Sequence, residues 1–134
     1  MIIEPNVKSN SEFKKLFKER LYKFTLQVMD YIDSMDNDKI SWRLGDQLLR
    51  SCTSVIANYV EGQSASSTKE LINYLNISLK SANESKLWFS LLKDSNRINA
   101  TKYEPMMQEL TEISKILASS IISLKSKSGI SKTR

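Results

Sequence analysis

Chemistry needs groups that titrate, attack or ligate, and this chain is short of them. Its 134 residues include no histidine and one cysteine. Without His there is no usual general base, no Ser-His-Asp or Cys-His arrangement and no Glu-x-x-His repeat of a di-iron bundle, and most zinc sites are lost. An Arg-His ribonuclease motif of the helical-bundle toxin type is ruled out on the same ground. Cys52 falls on one apolar stripe with Leu48 and Val55 and reads as a small core residue. Glu61, Glu70, Glu84 and Glu104 could supply a carboxylate pair. However, Glu70 and Glu104 stand three residues after Ser67 and Thr101, the spacing of a capping box. A glycine-rich phosphate loop and a nucleotide fingerprint are missing from the sequence. The expectation is a non-enzymatic protein with no cofactor and no metal.

What remains is charge. Twenty Lys and Arg against fifteen Asp and Glu give a formal +5. The last ten residues carry Lys125, Lys127, Lys132 and Arg134 with no acid, so the other 124 residues sum to only +1. A second basic run, Lys8, Lys14, Lys15, Lys18, Arg20 and Lys23, faces only Glu12 and Glu19 before Asp30, Asp33, Asp36 and Asp38 follow. Lys14, Lys15, Lys18, Lys125, Lys127 and Lys132 are therefore candidate contacts for RNA or DNA phosphates, through salt-dependent neutralisation. Few aromatics stand beside them, so little base readout is expected. The plainer reading is a solvated helix face and a frayed basic terminus.

Four elements must position these groups. The chain has three Gly and two Pro, and its apolar residues recur at steps of three and four, which favours helices. Phe13, Leu16, Phe17, Leu21, Phe24, Val28, Ile32 and Met35 mark a helix over roughly 10–35, capped by Ser9 with Glu12. Leu44, Leu48, Cys52, Val55, Ile56 and Tyr59 mark a second over 41–61, with Asp38 or Ser41 as its cap and Gly62 as a left-handed terminator. Leu71, Leu75, Ser78, Ala82, Ser85, Phe89 and Leu92 form a heptad seam over 68–93, and its small residues allow a neighbour to approach closely. Tyr103, Met106, Leu110, Ile113, Leu117, Ile121 and Leu124 mark a fourth over 102–126, with Thr101 and Glu104 as its box and Pro105 in its first turn. Short connections make this an all-α, antiparallel up-down-up-down bundle over 1–126, with a flexible basic tail over 127–134. Apolar residues beyond one stripe, among them Tyr74, Ile77 and Trp88, exceed what a monomer buries and suggest a subunit interface. A single cysteine and the lack of a long apolar run suggest a cytoplasmic protein that does not enter membranes.

Two stretches carry more polar residues than a plain bundle requires. Gln47, Leu48, Arg50, Ser54, Asn58, Glu61 and Gly62, then Lys69, Glu70, Leu75, Leu79, Ser81 and Glu84, resemble a bacterial four-helix-bundle family. That family includes the protein encoded in intervening sequences of the large-subunit ribosomal RNA gene and the accessory variability determinant of diversity-generating retroelements. The likeness is good over 42–92 and loose elsewhere. It departs at Ile56, where the family often has Pro, at Val60, and at Gln63-Ser64-Ala65-Ser66-Ser67, which replaces a basic run. The resemblance implies a homo-oligomeric ring, typically a pentamer, with a basic surface. Its retroelement members partner a reverse transcriptase and bind nucleic acid. It also makes Arg50, Asn58, Glu61 and Glu84 candidates for a polar cluster between helices two and three. An adaptor that binds protein and no nucleic acid, through Tyr74, Trp88 and the acidic turn, is the competing reading.

Overall fold

A computed structural model describes residues 9–129. Four helices follow one another: α1 (Asn10–Asp33), α2 (Lys39–Gln63), α3 (Thr68–Asp94) and α4 (Ala100–Ser128). Each pairs with the next, and α1 returns to α4, while α1 and α3 lie diagonally, as do α2 and α4. This is the expected up-down-up-down bundle. Among the described residues no helix is long and apolar enough to cross a membrane.

The helix starts follow capping chemistry. Ser9 Oγ accepts the Glu12 amide at 3.1 Å, Asp38 Oδ1 the Ser41 amide at 2.9 Å, and Ser67 Oγ the Glu70 amide at 3.1 Å. The α3 box is shifted by one residue, because Glu70 Oε1 takes the Ser66 amide at 2.7 Å. α4 starts earlier than expected. Asn99 rather than Thr101 is its cap, with Oδ1 accepting the Lys102 amide at 3.0 Å. Pro105 consequently lies inside the helix and costs it one backbone bond.

Gly62 does not end α2. It is helical and buried, and the chain turns only after Gln63. A Cβ at Gly62 would stand 3.1 Å from Leu71 Cδ1 and from Tyr74 Cβ, so glycine is needed there for close approach to α3. Gly129, with φ of 74°, is the left-handed C-cap of α4.

The core runs the length of the bundle. Leu21 and Val28 of α1, Leu48 of α2, Phe89 and Leu92 of α3, and Leu110, Ile113 and Leu117 of α4 are almost wholly buried. Cys52 joins them, as its apolar neighbours predicted. At about 2 kcal/mol per buried large apolar side chain, this core is the main source of stability. Tyr31 closes one end, its hydroxyl donating to the Arg97 carbonyl at 2.8 Å across to the α3–α4 turn.

Candidate nucleic-acid interface

The two basic regions of the sequence meet in space. The first turn of α1 and the last turn of α4 come to the same end of the bundle and, with the end of α2 and the start of α3, enclose an open cleft of about 510 Å³. Lys14 and Lys127 flank it. Phe13, Tyr59, Leu71, Leu75 and Leu124 give it an apolar floor, and Ser9, Asn10, Gln63, Ser119, Ser120 and Ser123 give it a polar rim. Burial pushes the Tyr59 phenol up to about 12, so it stays neutral, and among the described lining residues the charge is that of the lysines. Lys15 and Lys18 are exposed along α1, and Lys125 is half-buried on α4. Lys127 sits on the helix rather than in a tail, since α4 continues through Ser128. Lys132 lies outside the described residues.

α1 and α4 are otherwise the most loosely joined pair, tied by a two-pronged ion pair. Arg20 Nε and Nη2 donate to Glu109 Oε2 and Oε1 at 2.6 and 2.8 Å. Sequence inspection missed a further basic pairing. Lys86 of α3 is half-buried, and its pKa is lowered first by burial and then by Lys115 of α4. Nothing in the spacing of one helix reveals such a cross-helix neighbour.

The polar contacts between α2 and α3 are made by other residues than those expected. Arg50, Glu61 and Glu84 are exposed. Of the four, Asn58 alone sits at the seam. Its side-chain amide donates to the Ser54 carbonyl and Oγ at 2.9 and 3.0 Å, and Ser54 Oγ bonds Ser81 Oγ at 2.8 Å. Further along, Ser51 and Ser85 hydroxyls pair at 2.7 Å, Cys52 Sγ donates to Ser85 Oγ at 3.4 Å, and Ser78 Oγ donates to the Val55 carbonyl at 2.7 Å. Long charged side chains cannot fit a seam this narrow, and serines can. Burial pushes the Cys52 thiol up to about 11, and its hydrogen bond with Ser85 offsets this only in part. Thiolate is therefore scarce near neutral pH, and Cys52 is unsuited to nucleophilic attack.

Of the candidate interface residues, Tyr74 packs against Gly62 and Trp88 against the core, both half-buried, while Ile77 is 45% exposed. Trp88 Nε1 is buried with no hydrogen-bond partner among the described residues. The exposed apolar surface lies mostly elsewhere. Tyr22, Leu26 and Met29 form one stripe on α1, and Leu87 and Leu91 extend from Ile77 on α3. Trp42, at 67% exposure, stands at the far end of the bundle beside a cleft lined by Asp33, Asp36 and Asp46.

Comparison with known families gives a match over residues 14–119 to the 23S rRNA-intervening sequence protein. The chain belongs to that family. A crystallised protein of unknown function from the S23 ribosomal protein family of Bacteroides thetaiotaomicron has the same fold. It is 35% identical, with a TM-score of 0.74, over 78% of this chain and 97% of that one. A comparison with curated proteins finds no match. The part shared with the intervening-sequence family runs from α1 into α4 and stops before Ser120. Ser120, Ser123, Leu124 and Lys127, one wall of the cleft, therefore lie beyond it.

Proposed function

We propose that this member of the intervening-sequence family is a non-enzymatic, homo-oligomeric scaffold that associates with nucleic acid through the basic end of its bundle. The observation that carries the reading is the meeting of Lys14 and Lys127, 113 positions apart in sequence, at one cleft with no carboxylate among the described residues that line it. Lys15, Lys18 and Lys125 extend that surface. The family description adds an RNA context. Assembly is supported by the two apolar stripes, Tyr22-Leu26-Met29 and Ile77-Leu87-Leu91, which sit on diagonal helices and so face different sides. Two different patches joined head to tail generate a ring when the rotation between copies closes, rather than a two-fold dimer. A pentamer of +5 chains would carry +25 and multiply a contact that is weak in one copy.

The test is a binding titration of mixed-sequence RNA and DNA across a salt series, with mass by light scattering. Binding should weaken with salt by a log–log slope of about −0.7 per single-strand phosphate contacted. Replacing Lys14 and Lys127 by Gln should flatten the slope by about 1.4. No detectable binding at about 50 mM salt would refute the reading. One observation favours a protein partner instead: the acidic cleft beside the exposed Trp42 suits a basic side chain of another protein. Recovery of a partner such as a reverse transcriptase after nuclease treatment, with no RNA or DNA affinity, would establish that alternative.

A further inference from the structure

We infer that the basic cleft is a binding site for a single nucleoside monophosphate unit, either free or at the end of a strand. Its volume of about 510 Å³ lies within the range of about 300–1,000 Å³ that small-ligand pockets occupy. Three kinds of surface meet in it, and a nucleotide has the complement of each.

The first is an aromatic platform. Phe13 is half-buried and lines the cleft. Phe17 stacks behind it at 6.0 Å with an interplanar angle of 8°, and Tyr59 meets Phe17 edge-on at 5.0 Å. A ring fixed in this way can receive a base without losing further side-chain freedom. Leu71, Leu75 and Leu124 continue the apolar floor.

The second is a row of uncommitted hydroxyls. Ser114 and Ser128 of α4 donate back to the Leu110 and Leu124 carbonyls at 3.0 and 2.7 Å. Ser119, Ser120 and Ser123 of the same helix line the cleft and bond to no other side chain or carbonyl among the described residues. With Gln63 they offer donors and acceptors for base and ribose edges.

The third is the charge. Lys14 and Lys127 come from opposite termini of the described chain, no carboxylate stands among the described residues that line the cleft, and Tyr59 stays neutral. An anion is favoured there, and a phosphate at the mouth would sit between two ammonium groups. An aliphatic carboxylate would use the leucines and the lysines but would leave the hydroxyl row unpaired.

The strand-end source rests on the nucleic-acid reading above, whereas the free-nucleotide source stands without it. The experiment uses the full chain with AMP, adenosine and dodecanoate as probes, followed by amide NMR shifts and calorimetry. Two further arms compare a 5′-phosphorylated RNA oligomer with the same RNA circularised. The expected result is one saturable AMP site per chain, with shifts at Phe13 and from Ser119 to Leu124. Adenosine should bind more weakly, and Lys14→Gln and Lys127→Gln should each weaken AMP by about three-fold. Ser123→Trp, at an exposed position, should fill the cleft and weaken AMP by about ten-fold or more with the thermal midpoint unchanged. Preference for linear over circular RNA assigns the site to strand ends, and equal binding assigns it to free nucleotides. AMP binding without any RNA affinity would sink the nucleic-acid scaffold and leave the cleft assignment standing. Absence of saturable AMP binding up to about 10 mM, or preference for dodecanoate over AMP, overturns the inference whatever RNA does.

Discussion

Two glycines of α2 make opposite predictions from one substitution. Both Gly45 and Gly62 are buried in the helix, where glycine costs about 1 kcal/mol relative to alanine. A Cβ at Gly45 would meet Ile32 Cγ2 and Met35 Sδ at 3.5 Å, ordinary van der Waals distances. Gly45→Ala should therefore keep the whole propensity gain, about 1 kcal/mol, and raise Tm by about 4 °C. At Gly62 the new methyl would stand 3.1 Å from two atoms. Leu71 Cδ1 ends a side chain and can rotate away. Tyr74 Cβ is bonded to the α3 backbone and moves only with the helix. Overpacking of this kind costs about 1–3 kcal/mol, which exceeds the propensity gain, so Gly62→Ala should destabilise by up to about 2 kcal/mol. Because Leu71 lines the basic cleft, the same variant should also perturb ligand shifts there. The assay is thermal and urea unfolding of both variants at matched protein concentration, since assembly would couple to stability. If Gly62→Ala stabilises as much as Gly45→Ala, the close approach of α2 to α3 at that end is wrong.

Three further outcomes follow from the same geometry. The Ser41 amide, then its hydroxyl, and to a lesser extent Arg97 hold the Asp38 carboxyl at about 2, below its unfolded value near 4. Its stabilisation is present above about pH 4 and lost as pH falls through about 2, so Asp38→Asn should flatten the acid limb of an unfolding-versus-pH curve between those values. A double-mutant cycle on Arg20 and Glu109, both part-exposed, should give a coupling of about 0.5–1 kcal/mol that shrinks in high salt. A coupling near zero at low salt would show that the fork does not hold α1 to α4. Leu26→Asp and Leu91→Asp, at exposed positions on diagonal helices, should each lower the particle mass in light scattering while far-UV circular dichroism stays helical.

The helices were readable in the sequence because their signals are local. Apolar steps of three and four gave the four spans, and Ser9, Asp38 and Ser67 capped as their side chains predict. Errors arose where a local rule competed with a tertiary contact or with a second local option. Gly62 resembles a terminator, yet the approach of Leu71 and Tyr74 keeps it helical. Thr101 with Glu104 fits a box, yet Asn99 two residues earlier caps the helix. The site was legible only in part. Lys14 and Lys127 could be nominated from charge runs, but their convergence depends on the handedness and length of the whole bundle. The serine seam was half visible, since Ser78, Ala82 and Ser85 announced a close approach, whereas the pairings of Ser78, Ser81 and Ser85 with Val55, Ser54 and Ser51 on α2 could not be made without a register.

The two apolar stripes on diagonal helices also constrain how variants would behave in a mixture. In a head-to-tail arrangement each copy gives one patch and receives another, so every incomplete assembly still exposes one of each. A copy damaged on the α1 stripe alone would still join through its α3 stripe and then stop the chain from closing. Small amounts of such a copy would poison a wild-type population, whereas a copy damaged on both stripes would be ignored by it.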